Sequence, residues 1–243
     1  MAVAVVLAGG CAGPEEMRTV SPEFTAESLR SGGLAVLGVV QVDEVPQVRP
    51  PLIDALERVL GVTRHDLRVV PAARAQAAMG DSTTKFLLLG YQMHGRPDPD
   101  WFERATDSLH ATARYGVLAR VESDALRYSA ENLLDAGPVG GQGQAEPVRV
   151  TGRDARVTVH VFDLTTRALV FTGTYSGSTR AAVQDTMPRP TPPPQQNGGL
   201  VIQQSSQQPQ QPFPEAPPLA RALEPAFLEF ARELPGGPPL PKK

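Results

Sequence analysis

Four histidines could carry acid–base or metal chemistry: His65, His94, His110 and His160. Imidazole titrates nearer neutrality than any other side chain, and its neutral form ligates metals. None of the four has the spacing of a paired metal site such as His-Glu-x-x-His. Asp98, Asp100, Glu103 and Asp107 form a run of acids. Their spacing suits a capped helix start and a solvated helical face rather than a cation loop. Ser108 stands close to His110, but no Gly-x-Ser-x-Gly turn exists to expose a nucleophile. The glycine-rich "GPVGGQGQ", Gly137 to Gln144, lacks the Lys-Ser/Thr of a phosphate loop and the third glycine of a dinucleotide fingerprint. Asp163 with Thr165 and Thr166 reads as turn chemistry, and Trp101 with Phe102 as packing anchors. The expectation is a chain with no catalytic residue, no metal and no cofactor. A pocket gathering His94, Asp98 and Asp100 would instead favour a small hydrolase or metal-dependent enzyme.

The totals narrow the classes further. At 243 residues with 41% hydrophobic and 20% charged residues, the chain can bury one good core. Its 23 basic and 26 acidic residues show no basic stripe, which speaks against a nucleic-acid partner. The single cysteine, Cys11, excludes an intramolecular disulfide and a cysteine-based zinc cluster. No apolar run approaches the roughly 20 residues of a spanning helix.

Any site must be positioned by the stretch Arg153 to Arg180 and what packs on it. Val157, Val159 and Val161 alternate with Arg156, Thr158 and His160, the period of a half-buried strand. After Asp163-Leu164-Thr165-Thr166 the pattern resumes at Leu169 and Phe171 to Tyr175, predicting an antiparallel hairpin. Upstream, a short helix is expected around Glu23 to Arg30. Leu34 to Val40 reads as a buried strand. Pro50-Pro51 opens a helix carrying Leu52, Leu56, Val59 and Leu60, ended by Gly61. Leu67 to Val70 is a short strand, and Ala72 to Met93 two helices divided at Gly80-Asp81. Asp98 caps a helix with Pro99 in its first turn. Tyr115 to Val121 is a strand, and Ala125 to Leu134 fits either strand or helix. Pro188 to Pro218, rich in Pro and Gln, cannot bury enough surface to order itself and reads as a disordered insertion. Leu219, Leu223, Phe227, Phe230 and Leu234 then recur at helical spacing, predicting a helix over 219–234 docked on the sheet. The fold class is therefore α/β (α+β), a mixed sheet with an antiparallel C-terminal hairpin and helices packed on it.

Met1 to Gly13, "MAVAVVLAGGCAG", resembles the end of a bacterial lipoprotein signal peptide, with Cys11 as the lipidated mature first residue. Leu7 lies four places before the cysteine rather than three, and no Lys or Arg precedes the apolar run. A start codon upstream would supply those charges. The alternative is an ordinary buried strand with an incidental thiol.

The order of elements resembles the bacterial envelope α/β lipoproteins that include the curli secretion channel subunit, the penicillin-binding-protein activators and the amino-terminal domain of TolB. The matching pieces are Leu34 to Val40, Tyr115 to Val121, Val157 to Tyr175 with Asp163 at the turn, and Leu234-Pro235. Thr165-Thr166-Arg167 stands where that pattern usually has a glycine. The resemblance implies residues 1–13 as lipobox remnant, 14–30 as tether and short helix, 31–235 as one α/β domain with its insertion at 188–218, and 236–243 as tail. It implies a non-catalytic lipoprotein held on the membrane by its lipid, facing the periplasm from the outer membrane. Such a protein would bind, assemble or regulate another envelope protein, or itself. A soluble cytoplasmic accessory protein is a further alternative.

Overall fold

The computed structural model describes residues 18–42, 50–133, 146–184 and 212–239. Cys11, the 137–144 loop and most of the 188–218 insertion lie outside them. The described elements are β1 (Arg18–Val20), α1 (Ala26–Gly32), β2 (Leu34–Gln41), α2 (Pro50–Thr63), β3 (Val69–Val70) and α3 (Ala72–Met79). Then follow α4 (Asp81–His94), α5 (Pro99–Leu109), β4 (Tyr115–Leu133), β5 (Glu146–Asp163), β6 (Leu169–Gln184) and α6 (Leu219–Glu233). The strands form one six-stranded mixed sheet in the order β1-β6-β5-β4-β2-β3. β2 pairs in parallel with β3 and β4, whereas β4–β5, β5–β6 and β1–β6 are antiparallel. The fold is α/β, with an antiparallel hairpin and helices on the sheet.

Both faces of the sheet are covered, which makes two cores. One face carries Val36, Val117, Val157, Val159, Val161 and Phe171 under α2 and α6. The other carries Leu37, Leu118 and Phe162 under α3, α4 and α5. β2 is buried along its whole length, so its run of apolar residues shows no alternation. Local signals place the helices. Thr25 closes a capping box with Ser28 on α1, and the Oδ1 of Asp98 accepts from the amides of Asp100 and Trp101 at the start of α5.

Four expectations need correction. Arg18 to Val20, assigned to the tether, form an edge strand paired with Gly173 to Phe171, so the folded unit begins before residue 31. Gly61 does not end α2, which continues to Thr63 and leads into Arg64, whose amide bonds the carbonyl of Leu60. Its open surroundings leave the glycine with only its propensity cost of roughly 1 kcal/mol. The hairpin strands reach well past Val157 to Tyr175, β5 back to Glu146 and β6 to Gln184, while the stretch from Ala125 takes the strand alternative as the outer part of β4, which ends at Leu133. Finally, the insertion does not run to Pro218 as a structureless segment. The hydroxyl of Thr151 donates to the carbonyl of Pro214 (2.7 Å), and Arg153 Nη1 donates to that of Pro217 (2.9 Å). Residues 212–218 are thus strapped onto the sheet ahead of α6, because proline carbonyls keep their acceptor capacity although their nitrogens cannot donate.

α6 lies across β5 and β6 with Leu223, Phe227 and Phe230 fully buried. The ring of Phe230 meets those of Phe171 and Tyr175 edge-on at 5.7 and 6.1 Å. Gly177 makes the close approach possible, since a Cβ there would run into the carbonyl oxygen of Ala222. Pro225 sits inside the helix without breaking it, because this burial outweighs one missing backbone bond. Phe227→Ala should lower unfolding free energy in urea by about 3–5 kcal/mol, from lost burial and the cavity left behind. An unchanged midpoint would mean the helix does not belong to this core.

Candidate functional site

The catalytic candidates do not converge. His65 and His110 are exposed in the turns that follow α2 and α5. The hydroxyl of Ser108 bonds back to the carbonyl of Arg104 within its own helix (3.0 Å). Among the acids of α5, Glu103 and Asp107 both pair with Arg167 (2.6 and 3.3 Å). Arg167 occupies the turn with φ of 62°, the left-handed geometry for which glycine is usual, and its guanidinium ties that turn to α5. Asp163 is buried. Its Oδ1 accepts from the amides of Thr165 and Thr166, and its Oδ2 from Arg114. No group of three or more potential metal ligands gathers among the described residues.

A notch of about 500 Å³ between α4 and α5 does bring His94 and Asp98 to one wall, with Phe86, Met93 and Trp101. Asp100 does not line it. Asp98 is engaged in capping, and Trp101 stacks with the ring of Phe86 (4.6 Å) and lies under the guanidinium of Arg104 (4.6 Å). The indole therefore acts as a packing anchor rather than a free stacking platform.

His160 is the histidine with a defined side-chain partner. It sits on the face opposite Val159, yet that face is roofed by α4 rather than open to water. Its Nδ1 lies 3.0 Å from the hydroxyl of Tyr91, which donates to the carbonyl of Leu118 (3.2 Å). Both oxygens of Glu122 accept from Arg120, whose Nε donates to the carbonyl of Gln92. Burial, and secondarily the charge of Arg120, push the imidazole down to about 4, while burial pushes the Tyr91 hydroxyl up. A neutral histidine in the fold that would be charged when unfolded gives stability above pH 6.5 that is lost as pH falls toward 4. His160→Asn should flatten the fall in unfolding free energy between those two pH values. A slope unchanged by the substitution would assign it to other groups.

One exposed feature is a ribbon. Beyond Val121, β4 leaves β2 behind, and Ser123–Leu133, Glu146–Arg156 and Ser176–Gln184 run on as three antiparallel strands. At roughly 3.3 Å per residue this projects about 35 Å past the end of β2. A bulge at Glu122 reverses which side chains face α6. Asp124, Leu126 and Tyr128 thereby join Thr151 and Arg153 on one face. Asp124 holds Arg153 in a close pair, and Arg127 on the other face holds Asp154. The ring of Phe213 in the strap packs edge-on against Tyr128 (5.4 Å) and under Arg149 (5.5 Å). Leu126, Tyr128, Val183 and Phe213 nevertheless stay exposed. Sequence patterning could not find this surface, because the outer parts of β4 and β6 are mostly exposed and alternate weakly. The one available signal was the run of small and β-branched residues in "TGTYSGSTRAAV".

No described helix is long and apolar enough to cross a membrane. No protein family and no curated protein matches the chain. Among solved structures it is similar to a PelC dodecamer from Paraburkholderia phytofirmans, at 19% identity and a TM-score of 0.33 over 68% of this chain and 82% of that one. It is also similar to the hypothetical protein CT253 from Chlamydia trachomatis, at 18% identity and a TM-score of 0.34 over 60% and 71%. A third similarity is to lipoprotein GNA1162 from Neisseria meningitidis, at 12% identity and a TM-score of 0.26 over 65% and 86%.

Proposed function

We propose that this chain is a lipid-anchored bacterial envelope lipoprotein that works by binding another envelope protein rather than by catalysis. The observation that carries the reading is the ribbon. The fold extends three strands beyond the end of β2, and leaves Leu126, Tyr128, Val183 and Phe213 exposed, with Phe213 packed on Tyr128. Ordered apolar surface of this kind marks an interaction site, and large amphipathic rings such as Tyr128 are typical anchors of one. The apolar run ending at Cys11 supplies the attachment, and the order of elements, which resembles the envelope α/β lipoproteins, agrees with it. Among the described residues, capping, turn and ion-pair roles occupy Asp98, Glu103, Asp107 and Asp163. One acyl chain anchors weakly, so firm attachment needs the several chains that such a lipoprotein carries.

Two measurements test this. Cells given a palmitate analogue should label the wild-type protein and leave Cys11→Ala unlabelled; equal labelling of both would remove the anchor. A photo-crosslinking residue in place of Tyr128 should capture an envelope protein in living cells, whereas one at exposed Val62 on α2 should not. Equal capture at both positions, or at neither, would contradict a binding role for the ribbon.

A further inference from the structure

Arg156 is a half-buried cation in the middle strand of the ribbon, and among the described residues its guanidinium meets no carboxylate and no carbonyl. Its neighbours are all engaged: Arg120 holds Glu122, Arg127 holds Asp154 and Arg153 holds Asp124. A cation drawn part-way out of water is costly unless something pairs with it. The ladder shows what surrounds it instead. Arg156 stands opposite Ser123 of β4 and Ser176 of β6, and residues paired across antiparallel strands share a face. Ser178, the partner of Asp154, comes next along β6 on that face. Ala155 and Gly177 point the other way, toward α6, where the carbonyl of Ala222 crowds Gly177. The arginine and the three serines therefore look away from the helix, on the side of the ribbon opposite Tyr128. They line a hollow of about 490 Å³ together with Arg127 and Asp154. Among the described residues the three serine hydroxyls have no hydrogen-bond partner. One row along, by contrast, the hydroxyls of Thr158 and Thr174 bond each other (3.2 Å).

We propose that this hollow binds a phosphate group. The guanidinium offers its N–H donors in a planar fork that matches two oxygens of an oxyanion. A carboxylate would be satisfied by that fork alone, with both oxygens in its plane. A tetrahedral phosphate sets its remaining oxygens out of the plane, where hydroxyls on either side can donate to them. Ser123 and Ser176 flank Arg156 on both sides, at the Cβ separation of about 4.5–5.5 Å that cross-strand partners keep. Arg156 is half-buried although these serines are exposed, so its stem lies against the sheet and its head stays near the depth of the hydroxyls. The charge of the face agrees. Arg127, Arg156 and Arg180 share it with Arg120, against Asp154 and Glu122, and each of those two acids is already held by an arginine. The ligand is inorganic phosphate or the phosphoryl group of a larger molecule such as a lipid headgroup, for the recognition chemistry is the same. The site is separate from the apolar surface of Tyr128 and Phe213, and it needs no acylation of Cys11.

The test uses the full chain carrying Cys11→Ala, so that its outcome is separate from that of the anchoring reading. Amide resonances of Ser123, Arg156 and Ser176 are followed as inorganic phosphate replaces chloride at constant ionic strength, with Val159 and Phe227 reporting the intact fold. The three should move together to a saturating limit. Arg156→Gln should weaken binding by about tenfold or more, and Arg156→Lys, which keeps the charge but loses the fork, by about fivefold. Arg221→Gln removes the same charge from the exposed side of α6 and should leave binding within about twofold. Ser176→Ala should weaken phosphate by about threefold or more and leave acetate unaffected. Vesicles of phosphatidylcholine with phosphatidic acid separate the two sources. Pelleting that Arg156→Gln abolishes makes a lipid headgroup the source, and binding of free phosphate without such pelleting makes it a soluble phosphate or phosphate ester. Failure to saturate, acetate binding as tightly as phosphate, or equal losses from Arg156→Gln and Arg221→Gln would each overturn the proposal.

Discussion

The guanidinium of Arg64 is fully buried, and much of the fold hangs on what it holds. It donates to the carbonyls of Ala231 (3.3 Å), Leu234 (3.3 Å) and Pro235 (2.9 Å) at the end of α6. A helix C-terminus leaves carbonyls unpartnered, and a cation meets both that need and the negative end of the helix dipole. A cation taken out of water is costly unless it is paired. Asp66 provides the pair with both carboxylate oxygens and also accepts from Arg30 of α1. These guanidinium groups, Arg64 first, hold its carboxyl far below the usual carboxylate range. One buried charge thus joins the end of α2, the end of α6 and, through Asp66, α1.

With its end fixed, α6 can lie flat on β5 and β6 and close the core beneath. The other contacts serve the same placement. Tyr175 donates to Glu233 (2.9 Å), and Arg18 of β1 donates to the carbonyl of the same residue (3.0 Å), tying the edge strand to the helix. At the opposite end, Gly177 admits the helix backbone, and the proline strap leads out over the ribbon. The ribbon is therefore braced at its base by α6 and along one face by residues 212–218. That bracing lets strands project beyond the cores without fraying, a precondition for presenting a binding surface of fixed shape.

What was legible in the sequence is what local physics determines. The unbroken apolar run of β2, the Asp98-Pro99 start of α5, the glycine break between α3 and α4 and the Leu223-Phe227-Phe230 stripe each carry their own signal. What escaped depends on distant partners. A three-residue edge strand such as β1 has too little pattern to stand out, and is defined by the edge of β6. His160 falls on the face opposite the valines, and only α4 laid over that face shows it to be covered. The polar outer part of β4 fits strand or helix equally because most of its residues are exposed. Nothing in "GVTRHD" marks Arg64 as a buried clamp, since its carbonyl partners lie some 170 positions away. The interaction surface was the least legible part, because it is built by a bulge at Glu122 and by a strap that composition alone assigned to disorder.

The central claim is that α6, fixed by Arg64, forms one cooperative unit with the hairpin. Native-state amide exchange in rising sub-denaturing urea measures this directly. The amides of Ala226 and Phe227 in α6 should merge with those of Val157 and Val159 in β5 into a single opening of the same free energy and the same urea dependence. An α6 that opens at a clearly lower free energy, while β5 stays protected, would contradict the account.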